Sequence, residues 1–229
     1  NTILGYSAGN VNSGAVNNTF IGHASGSGSI NGGDNNTAIG AETLQALTTA
    51  SGNQAIGSYS GFSITTGGNN VLLGNDTGFA MTGTANTVLI GHQSGTAISH
   101  TDADGTVSIG SGALKSATSA IGNTAIGLNA LSENTTGDYN IAIGHNAMNS
   151  QQAGGTQSTS ATSHNNLFIG VDAGGGNWAD GQCTYNVGLG NGVLAGVLSS
   201  ATQNTGLGYA TLNVLTSGDQ NVAVGYASG

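Results

Sequence analysis

The chain has 229 residues, 42 of them Gly and none Pro, with one Lys or Arg against ten Asp or Glu and a formal charge of −9. With Lys115 as its sole Lys or Arg, it lacks the clustered cations that a nucleic-acid surface needs, and no apolar run approaches the ~20 residues of a membrane span. A lone Cys183 excludes an intramolecular disulfide framework and a Cys-based zinc site.

Taken in chain order, the apolar residues fall into one recurring unit, Asn-x-small-Ile/Leu-Gly. Its glycines are Gly5, Gly22, Gly40, Gly57, Gly74, Gly91, Gly110, Gly127, Gly144, Gly170, Gly190, Gly208 and Gly225. The steps between them are 17, 18, 17, 17, 17, 19, 17, 17, 26, 20, 18 and 17 residues. A near-fixed period of this length marks a solenoid. Helix-turn-helix repeats need ~34 residues, and Gly at this density disfavours helix. Each unit is therefore expected to be two short strands and two turns. That makes the chain an all-β, parallel β-solenoid of about 13 coils with a repeat of about 17 residues. Because the chain opens and closes inside a unit, residues 1–229 are read as one repetitive segment of a longer protein.

Columns through the repeat assign faces. The residue before the Gly is aliphatic throughout (Leu4, Ile21, Ile39, Ile56, Leu73, Ile90, Ile109, Ile126, Ile143, Ile169, Leu189, Leu207, Val224), and two positions earlier stands mostly Thr or Val. Alternation along a strand puts these two columns on one face, expected to be the coil interior. Between them lies a small or apolar residue (Phe20, Ala38, Ala55, Leu72, Ala125, Ala142, Phe168), expected to point the other way. A strand apolar on both faces is buried on both. The middle column is thus read as the contact between copies, and the chain as an obligate homo-oligomer. Asn opens eleven of the thirteen strands, among them Asn36, Asn53, Asn123 and Asn140, and can stack into an amide ladder. The repeat glycines, such as Gly40, Gly57, Gly127 and Gly144, and the Ile39, Ile56, Ile126 and Ile143 positions complete the structural columns.

The residues able to carry chemistry are few. His23, His92 and His145 share the column after the Gly; one chain keeps them coils apart, so a metal site there requires symmetry copies. Glu42, Asp76 and Asp172 share the next column and read as solvated turn acids. Asp102 and Asp104 form half of a calcium loop, without its terminal Glu. Segments 151–164 and 174–185 interrupt the period. The second carries the only Trp, Trp178, with Asp180, Cys183 and Tyr185. Insertions in repeat arrays map to loops, often on a binding face. Trp178, Asp180 and Tyr185 are therefore candidates for receptor contact, against the plainer reading of Trp178 as a plug for its own loop.

The stretches Asn36-Thr37-Ala38-Ile39-Gly40, Asn123-Thr124-Ala125-Ile126-Gly127 and Asn221-Val222-Ala223-Val224-Gly225-Tyr226-Ala227 resemble the head repeats of trimeric autotransporter adhesins, the YadA-like heads. The longer form Ala130-Leu131-Ser132-Glu133-Asn134-Thr135-Thr136-Gly137-Asp138-Tyr139-Asn140 is similar to repeats of phage tail fibres that precede an endosialidase-type chaperone domain. The resemblance implies a left-handed β-roll, three chains about one axis and a role in surface attachment. Here the unit is longer than the adhesin's, so larger turns are expected. The function expected is a structural fibre or adhesin segment of an extracellular appendage, on a virion tail fibre or a bacterial surface, with no enzymatic role and no cofactor. Its partners would be itself and a cell-surface glycan or protein receptor, with no nucleic acid and no membrane insertion. A glycan-cleaving tailspike and an ice-binding solenoid stand as alternatives. The second is weakened because Val71, Val88, Val107, Ile141, Leu167, Val187 and Val222 break the Thr column, which is also expected to face inward.

Overall fold

The computed structural model describes residues 1–149, 163–176, 178 and 182–229. Its strands are all three residues long: β1 Thr2–Leu4, β2 Val11–Ser13, β3 Thr19–Ile21, β4 Ser29–Asn31, β5 Thr37–Ile39, β6 Gln54–Ile56, β7 Val71–Leu73, β8 Val88–Ile90, β9 Val107–Ile109, β10 Thr124–Ile126, β11 Ile141–Ile143, β12 Leu167–Ile169, β13 Val187–Leu189, β14 Thr205–Leu207 and β15 Val222–Val224. Thirteen of them form one parallel sheet in the order β1-β3-β5-β6-β7-β8-β9-β10-β11-β12-β13-β14-β15, and β2 pairs with β4 alone. Each strand pairs in register with the same three positions of the next repeat, as Thr124, Ala125 and Ile126 do with Ile141, Ala142 and Ile143. The protein is a parallel β-solenoid of about twelve coils, one coil per step between the thirteen strands. Among the described residues, the expected second strand of each coil is present only as β2 and β4 and as a single Thr184–Thr202 bridge. Elsewhere that half of the coil is a chain of turns, still bonded coil to coil, as Thr65 N–H to the Thr82 carbonyl (2.9 Å).

The corner after each strand explains the invariant glycine. All thirteen repeat glycines have φ between +127° and +142°, a region closed to L side chains. A Cβ on Gly57 would also collide with the carbonyl oxygen of Gly74, and one on Gly127 with that of Gly144. Successive coils therefore meet backbone on backbone at this corner.

The two faces of the strand are the reverse of the sequence expectation. Phe20, Ala38, Ala55, Leu72, Leu89, Ala125, Ala142 and Phe168, at the strand centres, are fully buried inside the coil. The Ile/Leu column and the Thr/Val column point outward, and Ile56, Ile169 and Leu207 are 44, 38 and 46 % exposed. Ile39, Ile126 and Ile143 are covered only in part. The reason is volume. A coil this short has a narrow interior filled from several columns at once, so the strand contributes one side chain, usually small, and its two larger flanks face out.

Packing inside follows a pattern of one large side chain per coil from these two columns. Ala55 with Gly61 departs from it, and there Leu44 and Leu72 of the adjoining coils fill the space. Where the strand centre is Phe20, Leu72, Leu89 or Phe168, the residue four after the repeat glycine is Gly26, Gly78, Gly95 or Gly174. Where the centre is Ala38, Ser108, Ala125, Ala142, Gly188 or Gly206, that residue is Leu44, Leu114, Leu131, Met148, Leu194 or Leu212. A Cβ on Gly26 would press on the Phe20 ring (2.6 Å), and one on Gly174 on the Phe168 ring (2.9 Å). Leu44 and Leu131 hold left-handed backbone, with φ of 50° and 52°, a conformation costly for a bulky residue and offset here by full burial. A third column, Ile30, Leu47, Ile64, Met81, Ile98, Ala117 and Leu198, closes the core from the turn side.

The amide ladder forms as expected. Asn18, Asn36, Asn53, Asn70, Asn123, Asn140, Asn166, Asn186 and Asn204 are all buried. Asn53 shows the pattern: its Nδ2 donates to Asn36 Oδ1 (3.2 Å) and to the Gly67 carbonyl that closes its own coil (3.0 Å). Its Oδ1 accepts from both the backbone N–H (3.2 Å) and the Nδ2 (3.0 Å) of Asn70. Both amide protons and both lone pairs are thereby used, as a buried amide requires. Thr87 and Thr106 replace Asn in two coils. The Thr87 hydroxyl still donates to Asn70 Oδ1 (2.8 Å), and that of Thr106 to the Ala120 carbonyl (3.1 Å).

The shared interior volume yields a double-mutant prediction. Ala125→Leu alone overpacks the coil and should cost about 1–3 kcal/mol, and Leu131→Gly alone empties it at about 2–5 kcal/mol. Together they move the large side chain from one column to the other, and the pair should cost at least about 1 kcal/mol less than the sum. Denaturant unfolding of the four proteins measures this; strict additivity would show that the two positions do not share one space.

Candidate functional site

The feature that stands out on the surface is the outward face of the sheet. Each strand presents two side chains there, and in parallel register like residues stack: Val71 on Val88 on Val107, and Leu73 on Ile90 on Ile109. The stripe runs the length of the rod, about 60 Å at ~4.8 Å per coil. Its aliphatic column is unbroken over all thirteen strands. Neighbours along the column cover the inner rungs in part, while Leu4 and Val224, on the first and last strands, are 67 and 65 % exposed. Soluble monomers rarely leave so continuous an apolar surface to water. The Phe20 to Phe168 centre column, expected to form the contact between copies, is the core of the single chain and is not available for one.

The insertion candidates separate. Trp178 is 2 % exposed and meets the Phe168 ring edge-on, with centroids 5.8 Å apart. It fills the turn-side core column that Ile64, Met81 and Ile98 occupy in other coils, so it is a core residue and not a surface anchor. Cys183 stands where other coils have Ala50 or Ala201. Its carbonyl accepts from Asn166 Nδ2 (2.9 Å), as theirs do from Asn36 and Asn186, and burial pushes its thiol pKa up. Tyr185 is 59 % exposed at a left-handed turn position (φ 58°). Asp180 and most of segment 151–164 lie outside the described residues.

His23, His92 and His145 are exposed and coils apart, and no three His, Cys, Asp or Glu converge on a metal position among the described residues. Asp104 acts as a coil-to-coil staple, its carboxylate accepting the Ala85 N–H (2.6 Å). Asp34, Asp138 and Asp219 do the same for Val16, Ile121 and Thr202, each at 2.8 Å. Asp102 falls in the 3-10 turn Thr101–Ala103 just before it. The Thr/Val column faces outward and not inward, although the seven aliphatic interruptions remain.

Two surface features escaped the sequence reading. Tyr59, Phe62 and Phe79 form an aromatic cluster in which the two Phe rings stack at 4.9 Å and 7°. Tyr209 stacks on Tyr226 (5.2 Å, 12°) and Tyr6 on His23 (5.8 Å, 9°). In each stack the partners are 17 residues apart, so one repeat length between aromatic residues was the available signal. The second feature is a groove of about 490 Å³ spanning three coils, lined by residues that include Asp172, Asn191, Tyr209 and Asn213.

Fold and surface together define a β-solenoid repeat protein with one continuous outward apolar face. No family model, curated protein or solved structure matches the chain.

Because Trp178 is core, Trp178→Ala is expected to destabilise the protein by about 3–5 kcal/mol. Thermal and denaturant unfolding will read this loss. Cys183 should likewise resist iodoacetamide in the folded protein and react once denaturant opens the coil, since a buried thiol is seldom ionised; rapid native labelling would contradict its burial.

Proposed function

We propose that the chain is a shaft segment of an extracellular fibre, on a virion tail or a bacterial surface, assembled as a homotrimer and serving reach and attachment. Its role is structural and adhesive and not catalytic, and it needs no cofactor. The supporting observation is the unbroken aliphatic column on the outward face. A second copy aligned in parallel offers the same pair of side chains at every rung, so apolar surface meets apolar surface along the whole rod. At ~25 cal/mol per Å² removed from water, such a contact stabilises the assembly in proportion to its length. The resemblance of the Asn-Thr-Ala-Ile-Gly units to adhesin heads and tail fibres favours three chains over two. The lack of charge agrees with a surface closed by its own copies, because charged residues are depleted at interface cores.

Native mass measurement tests the assembly, with three times the chain mass of 22.2 kDa expected. Replacing Ile109, Ile126 and Ile143 together by Asp puts charge on three successive rungs without touching the coil interior. This variant should lose the trimer and fall to monomer or unfold. A wild-type monomer, or an unchanged mass in the triple variant, would defeat the reading.

A further inference from the structure

The groove over the last coils combines a floor of small residues with an aromatic wall and a carboxylate. Some coils carry larger side chains at the second and fifth positions after the repeat glycine, as Tyr59 with Phe62 and Gln93 with Thr96 do, while Ala24 with Ser27 is small at both. In this region Gly192 and Ala210 occupy the second position and Ala195 the fifth, and the surface is hollowed. One wall is Tyr209. Its ring lies nearly parallel to that of Tyr226 on the following coil, so its other face looks back over the Gly192 coil. Across that coil stands the exposed carboxylate of Asp172, two rungs from Tyr209, or about 10 Å at ~4.8 Å per rung. On the coil between them, Asn191 is fixed through its Oδ1, which accepts the Val171 N–H (3.0 Å); its Nδ2 remains as an oriented donor. Asn213 adds a second exposed amide.

We propose that this groove is a binding subsite for a neutral saccharide, with one pyranose ring seated between Tyr209 and Asp172. The proposal rests on the adhesive reading above and gives it a place and a ligand class. A sugar offers a C–H face to an aromatic ring and hydroxyls that both donate and accept. The groove answers with an aromatic face, a carboxylate that accepts, the Asn191 Nδ2 that donates, and the Asn213 amide, which does both. Its size falls within the ~300–1,000 Å³ of small-molecule sites. Two rungs, about 10 Å, separate Tyr209 from Asp172, a span that suits one ring on the Tyr209 face with a hydroxyl turned to the carboxylate. Acidic sugars are disfavoured by charge. Lys115 is the only Lys or Arg in a chain of formal charge −9, and it lies several coils away, so a sialate, sulfate or phosphate would face Asp172 with no cation beside it.

Saturation-transfer NMR and calorimetric titration of the intact assembly test this, using glucose, galactose, mannose and N-acetylglucosamine as methyl glycosides and as short oligomers, with sialyllactose and a sulfated oligosaccharide alongside. Binding of at least one neutral probe is expected, with none to the acidic pair. Tyr209→Ala and Asp172→Asn should each weaken it about tenfold or more, and Ala195→Trp, which fills the floor, should abolish it. Tyr59→Ala, in the other aromatic cluster, should leave it unchanged. Circular dichroism and native mass confirm that each variant keeps fold and assembly. Absence of binding by every neutral probe, preference for the acidic probes, or loss in Tyr59→Ala but not in Tyr209→Ala overturns the subsite. The fibre reading is judged separately, by native mass and by attachment of the wild type to whole cells. Attachment that survives Tyr209→Ala and Ala195→Trp would keep the adhesive role and remove this groove from it.

Discussion

Backbone meeting backbone at the repeat glycine is the constraint from which the rest of the architecture follows. With φ near +135° and the next coil's carbonyl where a Cβ would stand, the corner accepts no side chain. That contact fixes how closely coils stack and in what register, and the register then places each Asn under the next. The amide ladder depends on the corner in this sense: Oδ1 of one Asn reaches the N–H of the next only when the coils are a single β-spacing apart and do not slip. A slip of one residue would bury the outward pair and expose the strand centre along the whole rod. Glycine at the corner and asparagine at the strand entrance thus act as two ends of one device, the first setting distance and the second register.

Once the coils are this close, interior volume becomes scarce, and the exchange between the strand centre and the left-handed turn position follows. Phe20 with Gly26, and Ala38 with Leu44, are two solutions to one volume. The second is bought with left-handed backbone at a Leu, which shows how strongly the interior favours being filled. The same scarcity accounts for the outer face. A strand that can place only its central residue inside must turn its Ile, Leu and Val outward, and a sheet rich in such residues is left with an uncovered apolar side. The uncovered apolar face therefore arises from the narrowness of the coil itself.

Much of this was legible in the sequence. The period, the parallel stacking, the glycine corner and the Asn ladder all follow from residues that recur in one column, because identical positions in successive coils must be neighbours. The direction of the strand was not legible. Alternation says that Ile126 and Thr124 share a face opposite Ala125, but not which face is inside, and choosing the larger residues for the interior ignored how little room a short coil leaves. The pairing of Ala125 with Leu131 was visible as two separate columns, yet only the geometry shows that they compete for one space. For Trp178 both a receptor contact and a plug for its own loop were open, because the broken period hid its column; counted from Gly170, it falls where Ile98 falls from Gly91, displaced by a single residue, and the plug reading holds. The aromatic stacks at one repeat length were present in the sequence and went unread.

In such an array the positions free to vary for function are few. The strand centre, the left-handed turn and the turn-side column belong to the core. The Asn and Gly columns belong to the stacking, and the outward strand pair has an apolar composition that a partner copy would use. What remains is chiefly the short stretch after each glycine, its first, second and fifth residues. Both the Tyr59 cluster and the Tyr209 groove fall there. The groove is made by subtraction, with Gly192, Ala195 and Ala210 in place of larger neighbours, so no insertion marks it. Specific chemistry on a regular rod can thus come from a local change in these free columns while the period continues through it undisturbed. The longer loops of the broken period are a different kind of feature, and the one residue of theirs best suited to anchor a ligand, Trp178, is already committed to the core.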